Sequence, residues 1–266
     1  MSDVEDLWVT IFSYLNAEEK LKMQAVSKLF KKSVKSPSLW TKMALQNSKI
    51  KNSLIFQKEI LCLREITIIG CGSLPESELV KMLDCQKQLE SLYIRSFGIE
   101  NTSPLVVCST MKSLKLINCG LVDSTTQRWL NHYPNLVTLD LSDNPIEGNS
   151  LVILQENIDN LTLASTKIAS AFFERLPFIT NLSISQCYQV DEHVFEYLKR
   201  NSKINSLDIS LNIQFSRVVL ELCHHPSLRK LNLRGIKDVP REHVNRLFDT
   251  NNLEQILDPL GHWRYR

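Results

Sequence analysis

The chain has 266 residues, of which 43% are hydrophobic and 23% are charged, as is typical of a folded globular protein. Its formal net charge is only +2, so no global field selects nucleic acid or a membrane surface as a partner. No apolar run approaches the roughly 18 residues that a bilayer-crossing helix needs. We therefore expect no nucleic-acid partner and no membrane span.

The first residues and the cysteines indicate the compartment. Residues 1–6 are acidic and lack the basic-then-apolar pattern of a secretory signal. The chain holds seven cysteines, an odd number with no C-x-x-C pair, so neither a disulfide framework nor a zinc knuckle is expected. Reduced thiols are typical of proteins that stay inside the cell. The sequence therefore predicts a cytoplasmic or nuclear protein.

Residues 1–45 have helical periodicity. An N-cap is predicted at Asn16, with Glu19 three residues later, between two amphipathic stripes. The apolar residues of the first stripe are Leu7, Trp8, Ile11, Phe12 and Leu15, and those of the second are Leu21, Ala25, Val26, Leu29 and Phe30. A third short helix is predicted from Leu39 to Leu45. Three such helices enclose only a small core, which usually needs a partner surface.

Three blocks of this segment resemble an F-box: I-F-S-Y-L ending at Leu15, V-x-x-x-F ending at Phe30, and S-P-S-L-W ending at Trp40. The resemblance implies docking on the Skp-type adaptor of a Skp–cullin–F-box ubiquitin ligase, and through it on a cullin. Some of the assigned residues would contact the adaptor and others would pack the F-box itself. They are Leu7, Ile11, Leu15, Leu21, Val26, Leu39 and Trp40. The family usually opens with Leu-Pro, where this chain has Asp3-Val4. The alternative is that these helices only cap the repeats that follow.

From residue 63 onward the pattern L-x-x-L-x-L recurs eight times, with starts about 21 to 26 residues apart. The copies begin at Leu63, Leu89, Met111, Leu136, Ile158, Ile179, Ile204 and Leu228. Three positions after the last apolar residue stand Cys71, Cys119, Asn144, Cys187 and Asn212, while Phe97, Thr166 and Ile236 interrupt this series. The pattern resembles the leucine-rich repeat. We therefore expect a ladder of side-chain hydrogen bonds that is broken at the three interruptions.

Alternation within each copy predicts a short strand whose fourth and sixth residues face the interior and whose fifth faces out. Such a strand cannot bury its apolar face alone, but stacked copies form a continuous core. Between strands, short amphipathic helices are predicted. They are a capping box from Ser73 to Glu76 followed by Leu79, and apolar clusters at Phe172/Phe173/Leu176, Val194/Phe195/Leu198, Val218/Val219/Leu222 and Val244/Leu247/Phe248. A ninth, truncated strand is predicted at 253–257.

The predicted fold class is therefore α/β: an N-terminal three-helix F-box followed by a leucine-rich-repeat solenoid with a parallel concave sheet and helices on the convex side. The predicted domains are an F-box at 1–45, a linker or repeat cap at 46–62, and a solenoid of about eight to nine repeats at 63–266. An ordinary doubly wound α/β domain is the alternative, but the sequence has no G-x-G-x-x-G or P-loop motif.

Leucine-rich-repeat proteins commonly bind partners through the concave sheet, so the outward positions are the candidate substrate-binding residues. They are Tyr93, Arg95, Lys115 and Ile117 in the early copies and Asp140 and Asp208 in the middle, with Lys230 and Arg234 making the far end basic. We expect Tyr93, Arg95 and Lys115 to hold part of a protein substrate, because tyrosine and arginine are frequent interface anchors and paired cations suit an acidic or phosphorylated peptide. The alternative is that they are solvated sheet residues.

No nucleophile–base set stands out, and the run 223–225 (Cys-His-His) lacks a second pair of metal ligands. We therefore expect no catalytic residue, no metal and no cofactor. Together the two regions predict a non-enzymatic substrate-recognition subunit of the ligase. The alternative is a leucine-rich-repeat inhibitor or assembly scaffold with a degenerate F-box.

Overall fold

The computed structural model of the protein describes residues 3–46, 62–72, 74–100, 106–149, 156–250 and 252–266. The chain folds into two compact units. The first contains residues 1–119 and 128–135, and the second contains residues 120–127 and 136–266. In the described residues, no helix is long and apolar enough to cross a bilayer.

The first unit begins with three helices: α1 (Asp3–Ser13), α2 (Ala17–Met23) and α3 (Lys28–Val34). The predicted cap is confirmed, because the Asn16 side chain accepts the Glu19 N–H at 2.9 Å and the Glu19 carboxylate accepts the Asn16 N–H at 2.9 Å. The core of this segment is aromatic. The ring centroid of Phe30 lies 4.4 Å from that of Trp8 and 5.1 Å from that of Phe12. These contacts fix α1 against α3.

The predicted third helix is wrong beyond Trp40. A 3-10 turn covers Pro37–Trp40, and strand β1 (Lys42–Gln46) follows, parallel to β2 (Glu65–Ile69). The reason is a period of two: Met43 and Leu45 are buried while their neighbours are exposed. Parallel pairing of residues 42–46 with β2 therefore replaces the helix that was predicted there. The sheet therefore begins inside the predicted residues 1–45, whereas most of the predicted linker, 47–61, lies outside the described residues.

Strands β2, β3 (Ser91–Arg95) and β4 (Ser113–Ile117) continue the parallel sheet of the first unit. Their interior residues are those that the repeat predicts, and each is at most 1% exposed. They are Leu63, Ile66, Ile68, Leu89, Leu92, Ile94, Met111, Leu114 and Leu116. Helix α4 (Glu76–Asp84) connects β2 to β3 and has Pro75 at its N-cap position, without a side-chain capping bond; the predicted start at Ser73 lies outside the described residues.

The second unit repeats this plan. Its parallel strands are β5 (Thr138–Asp140), β6 (Asn160–Thr162), β7 (Asn181–Ser183), β8 (Ser206–Asp208), β9 (Lys230–Asn232) and β10 (Gln255–Leu257). Strand β10 confirms the predicted ninth strand. A further strand, β11 (Trp263–Tyr265), pairs antiparallel with β10, and the sequence did not indicate it.

Helices connect these strands. Helix α5 (Asp123–Leu130) follows β4 and was not predicted, whereas α6 (Val194–Arg200) and α7 (Arg241–Thr250) were. The predicted helices at 172–176 and 218–222 are 3-10 helices, Ser170–Arg175 and Val219–Leu222, and another 3-10 turn covers Ile213–Phe215. Tight 3-10 turns are common in such short connections. The predicted class, parallel strands alternating with helices, is confirmed.

The predicted cysteine and asparagine ladder is present. Four members donate to a carbonyl of the preceding repeat: Cys71 to Leu45 at 3.6 Å, Cys119 to Ile94 at 3.6 Å, Cys187 to Leu163 at 3.0 Å, and Asn212 to Ile184 at 2.8 Å. The fifth, Asn144, donates to the carbonyls of Leu141 at 2.8 Å and Ser142 at 3.0 Å in its own repeat. At the predicted interruptions, Phe97 and Ile236 are buried apolar residues, and the Thr166 hydroxyl bonds a carbonyl of its own repeat. The ladder therefore satisfies buried backbone groups between neighbouring repeats.

Candidate binding surfaces

One side of α1 exposes apolar side chains. Leu7 is 56% exposed and Ile11 is 40% exposed, and Val4 and Tyr14 are exposed as well. The spacing of three, four and three residues places these side chains on one side, with Tyr14 in the turn directly after α1. We call Val4, Leu7, Ile11 and Tyr14 the α1 apolar face. Clustered apolar exposure of this kind marks an interaction site.

The opposite side of α1 is closed against α3. Phe12 is buried, and the Glu5 carboxylate pairs with the Lys32 ammonium at 2.7 Å. The Glu5 side chain is nearly buried, whereas that of Lys32 is exposed. These contacts pack α1 against α3 and leave the α1 apolar face exposed.

The structure shows which of the residues that the sequence assigned to the adaptor contact are exposed and which are buried. Leu7, Ile11 and Val26 are exposed, and Leu15 is half-buried. Leu39 and Trp40 are buried, which gives them a packing role within the segment. The side chain of Leu21, on α2, lies outside the described residues. The sequence could not make this division, because both groups are apolar.

A buried lysine, which the sequence analysis missed, supports the 3-10 turn. The Lys20 Nζ donates to the Leu39 carbonyl at 3.1 Å and lies 5.6 Å from the centroid of the Trp40 ring. Burial lowers the pKa of Lys20. The indole N–H of Trp40 donates to the Val34 carbonyl at 2.6 Å. These bonds anchor Leu39 and Trp40 below the surface.

The first unit brings together four of the predicted substrate-binding residues on the outer sheet face, by which we mean the face that carries the fifth residue of each repeat. Tyr93 pairs with Lys115 across β3 and β4, and Arg95 pairs with Ile117. Neighbouring strands lie about 4.8 Å apart, so the four side chains form one small group. Arg95 is exposed and the other three are half-buried. We call these four residues the β3–β4 patch.

The two predicted acidic residues, Asp140 and Asp208, lie in the second unit, where each accepts a backbone hydrogen bond at the end of its strand. One oxygen of Asp140 accepts the Ser142 N–H at 3.0 Å, and one oxygen of Asp208 accepts the Ser210 N–H at 2.9 Å. They share a row of the sheet but lie three strands apart, so the structure does not bring them together. These bonds form turns at the strand ends. The repeated D-x-S spacing was the sequence signal for them.

A cavity of about 740 Å³ lies at the last repeat of the second unit, and the sequence did not indicate it. Its lining includes Ile236, Lys237, Arg241, Val244, Asp258, Leu260 and Arg264. The Asp258 carboxylate accepts the N–H groups of Leu260 at 3.0 Å and His262 at 2.9 Å. Burial opposes ionisation of Asp258, but these bonds, with the charges of His262 and Arg264, outweigh it and keep its pKa below the usual value. This carboxylate therefore holds the turn before β11.

Histidines and cysteines form no metal site in the described parts of the chain, where no group of three or more His, Cys, Asp or Glu residues could hold an ion. In the run 223–225, the Nε2 of buried His225 lies 2.9 Å from the Leu198 carbonyl. Burial lowers the pKa of His225. This ring therefore bonds to the neighbouring repeat.

Comparison with known proteins agrees with both regions. Residues 5–46 match the family model described as F-box-like. A search of the curated proteins finds no match. Among solved structures, an internalin from Listeria monocytogenes strain 4b F2365 is similar, with a TM-score of 0.57 and 15% sequence identity over 91% of this chain and 75% of that chain. Internalin is a leucine-rich-repeat protein, so the likeness shows that this chain has the solenoid fold.

Two further structures have lower likeness. A chain of the mouse RP105/MD-1 complex gives a TM-score of 0.44 at 17% identity, covering 81% of this chain and 37% of that chain. A chain of the yeast Rad7–Elc1 complex gives a TM-score of 0.45 at 14% identity, covering 96% of this chain and 88% of that chain.

Proposed function

Because the chain joins an F-box-like segment to a leucine-rich-repeat solenoid, we propose that it is the substrate-recognition subunit of a Skp–cullin–F-box ubiquitin ligase. The α1 apolar face docks on a Skp-type adaptor, which connects the chain to a cullin, and the repeats bind the protein to be ubiquitinated. The observation that carries this proposal is the exposed apolar face of α1, whose Leu7, Ile11 and Tyr14 lie within the residues that match the F-box-like model.

Such a subunit makes and breaks no bond itself. It accelerates ubiquitin transfer by holding a substrate lysine near a charged conjugating enzyme, which is a proximity effect. This architecture is typical of substrate-recognition subunits rather than catalytic ones. The proposal includes a cytoplasmic or nuclear location, which all seven cysteines support because they are free thiols.

The docking step is tested with Ile11→Asp, expressed together with a Skp-type adaptor. Buried against the adaptor, the new carboxylate would lack a partner and cost several kcal/mol, so we expect capture to fall by on the order of 100-fold. Ser13→Asp is the matched control, since it adds the same charge to an exposed position on another side of α1. If the wild-type chain does not capture the adaptor, or Ile11→Asp captures it equally well, the ligase proposal is wrong.

The alternative is a leucine-rich-repeat inhibitor or assembly scaffold, and the Asp3-Val4 dipeptide favours it because the family's usual Leu-Pro is missing. Affinity capture from cells with the proteasome inhibited separates the two functions. Partners kept by Ile11→Asp bind outside the α1 apolar face, and partners lost belong to the ligase. The point variant is better than a deletion of residues 1–45, which would remove most of β1 and expose the edge of β2.

The β3–β4 patch is the proposed substrate-binding surface of the first unit. Arg95→Ala with Lys115→Ala removes both cations from this surface, and we expect weaker capture of substrate in the same experiment. Lys87→Ala with Lys112→Ala is the charge-matched control, because both lysines are exposed and lie outside the strands. Equal capture by the wild-type chain and the patch variant would remove the β3–β4 patch from the proposal.

A further inference from the structure

The last strand of the second unit carries a stacked pair of exposed aromatic rings. The centroids of Trp263 and Tyr265 lie 6.1 Å apart with an interplanar angle of 26°. Trp263 is 51% exposed and Tyr265 is 64% exposed. Tryptophan and tyrosine are the residues most enriched among interface anchors, and two of them side by side on a strand form a pre-organised apolar surface.

Strand register shows which face of the sheet these rings occupy. In the antiparallel pair, Arg264 lies opposite Ile256, which is completely buried in the core. Arg264 therefore points to the core side, where it donates to the Asn245 side chain of α7 at 2.6 Å. Trp263 and Tyr265 alternate with it and lie on the outer sheet face, opposite Leu257 and Gln255.

Two cations border the rings on this face. Lys230 shares a row with Gln255 and Tyr265 and is exposed. Arg234 is also exposed and lies over the turn that leads into β11: a Cβ atom on Gly261 would be 3.8 Å from its Nε. Within the described parts of the chain, neither Lys230 nor Arg234 forms an ion pair.

Two acids near this surface form hydrogen bonds within the fold. Asp258 is buried and bonded to backbone N–H groups, and Asp208, one strand beyond Asn232, accepts the Ser210 N–H. Lys230 and Arg234 therefore place exposed positive charge beside the rings. This is the charge that an acidic partner would complement.

We propose that Trp263, Tyr265, Lys230 and Arg234 form a docking surface for an acidic, extended protein segment. Its apolar side chains cover the two rings, and its carboxylates pair with the two cations. This inference rests on the second half of the proposed function, the capture of a protein by the repeats, and names the chemistry of that protein. It does not depend on the α1 apolar face.

Single-stranded nucleic acid also stacks on aromatic rings, but the surface suits it less well. Binding of a phosphate backbone needs a groove of cations that follows the strand, whereas Lys230 and Arg234 lie together on one repeat. Trp263 lies directly opposite Leu257, which is nearly buried, so the surface continues into apolar side chains. Apolar surface of this kind favours a polypeptide.

The test is selection of a displayed random peptide library on the full-length chain. We expect enrichment of peptides that combine Asp or Glu with apolar residues. Binding of a selected peptide should fall about tenfold or more in Tyr265→Ala and in Lys230→Glu with Arg234→Glu, and it should weaken with added salt. Lys87→Glu with Lys112→Glu is the charge-matched control at exposed lysines outside the strands, and it should bind as well as the wild-type chain.

The proposal is overturned if the selected peptides are not acidic, or if they bind Tyr265→Ala and the charge-reversal variant as well as the wild-type chain. It is also overturned if a polyuridine oligonucleotide binds this surface and the acidic peptides do not. Unchanged thermal unfolding confirms that the variants fold. Adaptor capture, measured on the same variants, separates the two proposals: its absence defeats the ligase function, and peptide binding is scored independently.

Discussion

The consensus leucines and isoleucines of the repeats differ in exposure from several apolar residues of the helical segment. In the repeats, the consensus apolar residues are at most 2% exposed, as Leu116 and Leu182 illustrate. In the helical segment, Leu7, Ile11 and Val26 are each at least 40% exposed. The repeats therefore bury their consensus apolar residues within the chain, whereas the helical segment leaves several of its own exposed.

The difference arises because the apolar residues of the two regions pack against different numbers of neighbouring elements. A repeat places its strand between two others, and its interior residues meet the same layer of the next copy. The three helices have one small aromatic core, which uses only one side of α1. The other side has no counterpart within this helical segment. The apolar side of α1 is thus exposed because the helical segment is small, and this exposure is the basis of the proposed docking.

The largest expected difference between the two regions is in the free energy of unfolding that is lost when one leucine is truncated to alanine. Leu116→Ala leaves a cavity in the core and should lower the free energy of unfolding by about 2–5 kcal/mol. Leu7→Ala removes a side chain that is already exposed and should change it by less than about 0.5 kcal/mol. Urea unfolding of the isolated chain measures both. Equal losses would show that Leu7 packs within the chain, and the contrast between the regions would fail.

A smaller difference separates the hydrogen bonds of the two regions. The buried Asn212 side chain donates to Ile184 and Ile209 and accepts the Cys187 N–H at 2.8 Å. Asn212→Ala leaves these backbone groups unsatisfied and should cost about 2–3 kcal/mol. Asn16→Ala removes only an exposed helix cap and should cost about 1 kcal/mol. The urea midpoints should follow this order; a reversed order would contradict the ladder's role between repeats.

The smallest effect depends on pH and concerns the end of the second unit. The folded-state pKa of Asp258 lies below its usual value, so its ionised form stabilises the fold above the unfolded-state pKa. That stabilisation is lost as the pH falls through the folded-state pKa. The wild-type chain should therefore exceed Asp258→Asn in urea midpoint at neutral pH, and the gap should close in acid. If the difference in urea midpoint does not change with pH, the charge of the Asp258 carboxylate is not its cause.

Sequence alone located the repeats because alternation within a strand is a local property. Ile66 and Ile68, two residues apart, must face the same side of any strand, and eight copies make their burial the only consistent solution. The capping box at Asn16 and Glu19 is equally local. The same kind of local inference failed at 41–45, where the helix predicted from Leu39 gave way to pairing with β2.

Tertiary structure decided which residues of one chemical class are buried and which are exposed. Leu39 and Leu7 are both leucines of the helical segment. The side chain of Leu39 is buried and its carbonyl accepts a hydrogen bond from Lys20, whereas the side chain of Leu7 is exposed. The strand register that sets Trp263 opposite Leu257 was likewise absent from the sequence pattern. Periodicity fixes which residues share a face, but the element that covers that face comes from elsewhere in the chain. Only the folded arrangement therefore distinguishes the core from a binding surface.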